Sequence, residues 1–245
     1  MPYTSHASDF EITLDPTAPA TATVLLLHGL GADGWDFVPI VNELALAMPI
    51  RWIFPHAPER TVTVNAGYVM RAWYDIRSFT PDGRADAAGL AQSVQRVNRY
   101  LDTEVDRGIA AERIVLAGFS QGGAVALAAG LRFPQRLSGL LALSTYLPFP
   151  ERLALEKARA NSDVPILMCH GQVDAVVDIA IGREACATLE AQGYTVEWRE
   201  YPMAHEVCAA ELDDVGRWLA RRLGPTGTLR WVLASTSTWT QTRAR

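Results

Sequence analysis

The stretch IVLAGFSQGGAVALAAGL, residues 114–131, decides how the rest of the chain is read. Its apolar start reads as a strand buried on both faces, and an Ala- and Gly-rich helix follows. Between them Gly118, Phe119, Ser120, Gln121 and Gly122 spell G-x-S-x-G in the strand–turn–helix setting of a nucleophile elbow. A serine on so tight a turn needs small residues two before and two after it, so that neighbouring backbone can pass. The helix beginning there turns its first N–H groups and positive dipole end toward the place where an oxyanion would form. The plainer alternative is a loop serine in an unrelated α/β protein, and the rest of the chain decides between the two.

An elbow serine needs a base, and the base needs an orienting acid, in the chain order Ser, Asp or Glu, His. His170 and His205 both lie downstream of Ser120. His205 sits just past the last predicted strand, in EYPMAHEV, where a loop at a C-terminal strand edge leaves an imidazole reachable. His170 ends the strand PILMCHG and reads as a core histidine. Asp174 follows that strand after a short turn and is the preferred acid. Asp178, four residues on, reads as a carboxylate at the start of the next helix, stabilising its dipole.

With these partners in hand, LLLHGLGADGW (25–35) can be judged. Gly29, Gly31 and Gly34 spell G-x-G-x-x-G after an apolar run, as a dinucleotide-binding turn would. That reading needs an acidic residue near the end of the next strand, which here is RWIFPHAP, with no carboxylate before Glu59. The Walker pattern fails as well, because Trp35 and Asp36 follow Gly34. An early glycine-rich loop that gives a backbone N–H to an oxyanion accounts for the same glycines.

Working outward, short apolar runs alternate with helical patterns. The predicted strands are DFEITL, TVLLLH, RWIFP, RIVLAGF, LSGLLALS, PILMCHG and TVEWREYP; the predicted helices cover 35–48, 86–107, 121–132, 151–160, 179–192 and 206–222. This rhythm implies an α/β fold with a mostly parallel, doubly wound sheet and helices on both faces. Residues 1–223 suit one domain. Residues 56–85 form a long excursion whose Tyr68, Trp73, Tyr74 and Phe79 favour a packed loop. The segment 224–245 lacks acidic residues, is heavy in Thr and Ser, and is expected to be a disordered tail.

Composition narrows the function further. A net charge of −5 leaves no basic surplus to neutralise phosphates, which argues against nucleic-acid partners and stable membrane anchoring. Cys169, Cys186 and Cys208 are odd in number and widely spaced, which suits reduced thiols in a cytoplasm. The N-terminus has no basic n-region or apolar h-region, and no apolar run is long enough for a membrane span. HEVCA at 205–209 lacks the second histidine of H-E-x-x-H, and no Cys/His cluster has ligand spacing, so no metal and no cofactor are expected.

Taken together, LLLHGLGADGWDF, AWYDI, LAGFSQGGAVAL, LALSTYLP, HGQVDAVV and EWREYPMAHEV resemble small bacterial carboxylesterases related to acyl-protein thioesterases and lysophospholipases. The likeness covers about residues 10–222. It implies an α/β-hydrolase fold without a large cap, acting on carboxylic esters or thioesters. It implies Ser120, Asp174 and His205 as the triad, backbone N–H groups of Leu30 and Gln121 as the oxyanion hole, Trp73 and Val176 as substrate-pocket residues, and a homodimer. Two positions depart from the pattern: Ala204 stands before the histidine where glycine is usual, and Asp178 follows VV where proline is common. The first is expected to tilt His205 slightly.

The leading expectation is a serine carboxylesterase working through an acyl-enzyme on Ser120. Only about twenty residues separate Ser144 from Val164, too few for a large cap, so the site should be open and suit short to medium acyl esters. An acyl-protein thioesterase or lysophospholipase shares the chemistry and differs in substrate. A non-catalytic binding module on the same fold is the alternative of a different class.

Overall fold

The central apolar runs become strands buried on both faces, while the last, at the sheet edge, is only partly buried. The computed structural model describes residues 2–44, 46–78 and 86–224. The strands are β1 (Tyr3–Ala7), β2 (Glu11–Pro16), β3 (Ala22–Leu27), β4 (Ile50–Pro55), β5 (Glu59–Val62), β6 (Tyr68–Arg71), β7 (Ile114–Phe119), β8 (Gly139–Leu143), β9 (Ile166–Gly171) and β10 (Val196–Tyr201). The helices are α1 (Ile40–Leu44), α2 (Ala87–Asp106), α3 (Gln121–Gly130), α4 (Pro150–Glu156), α5 (Ile179–Ala191) and α6 (Ala209–Leu223).

Among the described residues, eight strands form one sheet in the order β1-β2-β4-β3-β7-β8-β9-β10. The pairs β1·β2 and β2·β4 are antiparallel, and every pair from β4 to β10 is parallel. This is the α/β-hydrolase arrangement that the resemblance implied. Alternate side chains feed two cores. Leu25 and Leu27 of β3 pack on one side with Leu90, Val97 and Leu101 of α2 and with α3. Val24 and Leu26 pack on the other with Val41 and Leu44 of α1 and Leu212, Val215 and Trp218 of α6. Each such leucine removed from water contributes roughly 1.5–3 kcal/mol. At the N-terminal end of the sheet, the Thr23 hydroxyl donates to Glu104 Oε2 at 2.7 Å and Arg51 Nε donates to Glu104 Oε1 at 3.2 Å, tying α2 to β3 and β4.

Three sequence expectations need correction. β1 was absent from the predicted strands because its side chains are mostly exposed and carry no apolar pattern; only main-chain pairing, Tyr3↔Pro16 through Ala7↔Ile12, makes it a strand. The predicted helix 35–48 breaks into a 3₁₀ turn, Gly34–Phe37, and the short α1, because Pro39 brings no N–H to the turn between them. The predicted helix 151–160 ends at Glu156, since Lys157 is extended and sends its Nζ to the Gln192 carbonyl at 2.8 Å.

The excursion after β4 is packed rather than loose, and it contains the two-stranded hairpin β5·β6. Trp73 and Tyr74 are fully buried while Tyr68 is exposed; Phe79 lies outside the described residues, as does nearly all of the predicted tail. No helix among the described residues is long and apolar enough to cross a membrane.

Candidate active site

β7 delivers Ser120 into a turn that few residues adopt: φ is 53° and ψ −121°. A non-glycine residue in such a region costs on the order of 1–3 kcal/mol and needs its surroundings to hold it there. The hold is mostly main-chain. Ser120 N–H donates to the Leu143 carbonyl at 2.8 Å, and the Ser120 carbonyl accepts Ala124 N–H at 3.1 Å. The Thr145 hydroxyl also donates to that carbonyl, at 2.6 Å. The two glycines of the motif are required by contact. A Cβ on Gly118 would stand 2.3 Å from the Gly122 carbonyl oxygen, and one on Gly122 would stand 2.2 Å from that of Leu27.

His205 follows β10 and brings its Nε2 to 2.9 Å from Ser120 Oγ. Its Nδ1–H donates to Asp174 Oδ2 at 2.7 Å, and the Phe119 ring packs against the imidazole at a centroid distance of 4.7 Å. The remaining oxygen of Asp174, Oδ1, accepts the backbone N–H groups of Val176 and Val177, both at 2.8 Å. The carboxylate is therefore buried with both oxygens engaged, which fixes its orientation. Ala204 does not tilt the ring out of reach of either partner. Gly171 makes room for that loop, because a Cβ there would lie 2.2 Å from the Ala204 carbonyl oxygen. Asp178 stands apart, accepting Ala180 N–H at 2.8 Å as the N-cap of α5. His170 is fully buried and donates from Nε2 to the Val177 carbonyl at 2.8 Å.

The glycine-rich loop after β3 runs beside the elbow: a Cβ on Gly29 would be 3.4 Å from the Ser120 Cβ. Gln121 opens α3, so its N–H has no partner within the helix. Both backbone segments that carry the candidate oxyanion donors, Leu30 and Gln121, thus flank the serine.

Several supports of this loop escaped the sequence reading. Gly31 N–H donates to the Arg71 carbonyl at 2.8 Å. His28 accepts Ala57 N–H on Nε2 at 2.9 Å, and its Nδ1 lies 2.7 Å from the Gly29 carbonyl, so Nδ1 carries the hydrogen. Burial pushes the His28 pKa down to about 4, and it lowers that of His56 too, whose Nδ1 accepts Gly34 N–H at 3.1 Å. The Gln121 side chain spans Trp73 N–H and the Tyr74 carbonyl, both at 2.8 Å, and Trp73 Nε1–H donates to the His28 carbonyl at 2.9 Å. Trp73 is fully buried and braces the loop from behind through that bond. Val176 is exposed beside the acid.

Under the His205 loop, in the first turn of α6, Glu211 is fully buried and neither carboxyl oxygen makes a well-formed hydrogen bond. Burial pushes its pKa up from 4.5 to about 8, with the nearby Cys208 N–H offsetting part of the effect. The folded state thus holds a proton that the unfolded chain releases above about pH 4.5. Stability should fall as pH rises from there to about 8 and level off beyond, by several kcal/mol in all. Glu211→Gln should remove this dependence and be the more stable form at pH 8.5. Urea midpoints at pH 5.5 and 8.5 test it; identical pH dependence in both proteins would exclude a neutral buried carboxyl.

Comparison with known proteins agrees with this geometry. A model of the phospholipase/carboxylesterase family matches residues 9–223. Acyl-protein thioesterase 1 of Neurospora crassa is 38% identical over 216 residues, which is 83% of this chain and 87% of that protein. Acyl-protein thioesterase 1 of Cryptococcus neoformans is 34% identical over 230 residues, covering 86% of this chain and 97% of its own length. The crystal structure of Zea mays acyl-protein thioesterase 2 superposes with a TM-score of 0.79 at 31% identity, covering 87% of this chain and 99% of that one. These relatives are fungal and plant proteins, so they support the family and not the bacterial qualifier. The family model spans almost the whole sheet and both relatives exceed 30% identity over most of their length: the chain belongs to the phospholipase/carboxylesterase family of α/β-hydrolases, and is a serine hydrolase acting on acyl esters or thioesters.

Proposed function

We propose that this chain removes acyl groups from thioesters and esters through an acyl-enzyme on Ser120, with acylated proteins as the favoured substrate class. The observation that carries the mechanism is the continuous hydrogen-bonded line from Ser120 Oγ through His205 to Asp174. His205 Nε2 takes the hydroxyl proton as Ser120 Oγ attacks the acyl carbonyl, and Asp174 holds the ring in the Nδ1–H tautomer and stabilises its charged form. The N–H groups of Leu30 and Gln121 receive the developing oxyanion, each such donor being worth about 3–4 kcal/mol. His205 returns the proton to the departing alcohol or thiol. It then activates the water that releases the acid and restores Ser120.

The preference for acylated proteins rests on the names of the relatives and on the shape of the rim. Between β8 and β9 the chain has only α4 and a single 3₁₀ turn, so this connection forms no large cap over the serine. Tyr68 and Val69 of the hairpin and Val173 and Val176 of the acid loop are largely exposed apolar side chains on segments bordering the site. An open, apolar rim suits a long acyl chain attached to a bulky partner better than a small buried ester.

A short- to medium-chain carboxylesterase is the second reading, favoured by the same lack of a cap. Initial rates on p-nitrophenyl esters from acetate to palmitate, beside S-acyl cysteine peptides of the same chain lengths, separate the two. The proposal expects the highest kcat/KM on the long-chain S-acyl peptides. A maximum at acetate or butyrate, with slow thioester cleavage, would replace it by the carboxylesterase.

A further inference from the structure

We infer that His170 is a positioning residue for the triad: it holds the acid loop, and with it the Asp174 carboxylate, in the geometry that His205 requires. This inference rests on the triad reading above and adds to it a second histidine.

The ring is fixed in one place and one tautomer. It is fully buried at the end of β9, and both groups near its Nε2 are acceptors: the Val177 carbonyl at 2.8 Å and Asp174 Oδ2 at 3.5 Å. Nε2 therefore carries the hydrogen. Nδ1 has no hydrogen-bond partner and is shut in by α5, where a Cβ on Gly182 would stand 2.5 Å from it. On its face lies the Trp198 indole, stacked at 5.9 Å with an interplanar angle of 27°. A buried lone pair without a donor costs free energy, and a phenylalanine would fill the space without it. What the histidine supplies in exchange is the Nε2–H.

That hydrogen closes a ring of contacts. Asp174 Oδ1 gathers Val176 and Val177 N–H, and His170 takes the Val177 carbonyl. The turn from 174 to 177 is thus fastened at its start by the carboxylate and at its end by a side chain of β9, on which the loop is built. The same N–H dipole lies 3.5 Å from Oδ2, the oxygen that accepts from His205. This is too long for a full hydrogen bond, and the support that His170 gives runs through the Val177 carbonyl. Without His170 the Val177 carbonyl loses its donor and the turn is free to shift. Misplacement of a catalytic group by about 1 Å costs on the order of 100-fold in rate.

The test compares His170→Phe, which keeps a ring and loses the N–H, with His170→Gln, whose amide can place an N–H near the Nε2 position. The phenylalanine variant should lose about 10- to 100-fold in kcat per titrated Ser120, with KM nearly unchanged; glutamine should recover most of that loss. The proton resonance of the His205–Asp174 hydrogen bond, well downfield of the amides, should shift or broaden in the phenylalanine variant and return in the glutamine variant. Unchanged kcat and an unchanged resonance in folded His170→Phe would overturn the inference, as would equal losses in both variants. If neither variant folds, long-range ¹⁵N–¹H spectra of the unmodified protein decide, because His170 protonated on Nδ1 instead of Nε2 overturns it directly. Ser120→Ala run alongside keeps the two readings apart: turnover there within tenfold of the parent sinks the triad itself, whereas undiminished kcat in His170→Phe with Ser120→Ala inactive sinks this inference alone.

Discussion

Ser120→Ala is expected to lower kcat by about 10⁵- to 10⁶-fold, the scale seen when a triad serine is lost, and to leave the fold in place. The elbow does not depend on the hydroxyl. The main-chain bonds to Leu143 and Ala124 and the Thr145 hydroxyl on the Ser120 carbonyl all survive the change. Alanine inherits the same unfavourable backbone angle, so the melting temperature should move by only a few degrees. A trace of rate above that in water can remain, because the oxyanion donors still polarise a bound carbonyl. Rates on a thioester, with labelling of the native serine by a fluorophosphonate as the companion measurement, test this. Turnover within tenfold of the parent in a preparation free of other hydrolases would remove Ser120 from the mechanism.

Asp174→Asn should cost about 10⁴-fold in kcat with a small effect on KM, and the reason lies in which oxygen is already committed. Oδ1 accepts two backbone N–H groups, from Val176 and Val177, and only an oxygen can take that place. The new amide nitrogen must then occupy the position of Oδ2, facing His205 Nδ1. Two donors cannot face each other, so the imidazole moves its hydrogen to Nε2 and can no longer accept the serine proton. Asp178→Asn is the control four residues away. Its oxygen caps α5 through Ala180 N–H, an asparagine caps as well, and activity should change less than threefold. Equal losses in the two variants would mean that the acid has been misassigned.

Both arguments use residues that could be read from the sequence, because the chemistry fixes them locally. G-x-S-x-G records the backbone clash at Gly118 and Gly122. Asp174 and His205 each follow a strand that the apolar pattern reveals. Asp178 could be set aside because its place at the head of α5 made it a cap. The remainder was hidden for physical reasons. β1 owes its existence to hydrogen bonds between main chains, which leave no mark on side-chain polarity. The supports of the glycine-rich loop and of the Ser120 turn join residues far apart in sequence: Trp73 to Gln121, His28 to Ala57, Thr145 to Ser120. Such contacts exist only once the sheet has assembled. Trp73 illustrates the difference, since its nearness to the site was legible and its task, bracing backbone from behind, was not.

The two glycines of the elbow bear on how the protein can be altered. Each missing Cβ is replaced by a neighbouring carbonyl, from Gly122 on one side and Leu27 on the other, so the frame that packs against the two glycines is main chain. Main chain is common to every residue type and offers an engineer nothing to redesign. The reactive group, by contrast, hangs from that frame without shaping it. On the proposed mechanism nucleophile and scaffold are separable: the side chain at 120 is an exchangeable fitting, while 118 and 122 are fixed points around which a retooled catalyst on this chain would be built.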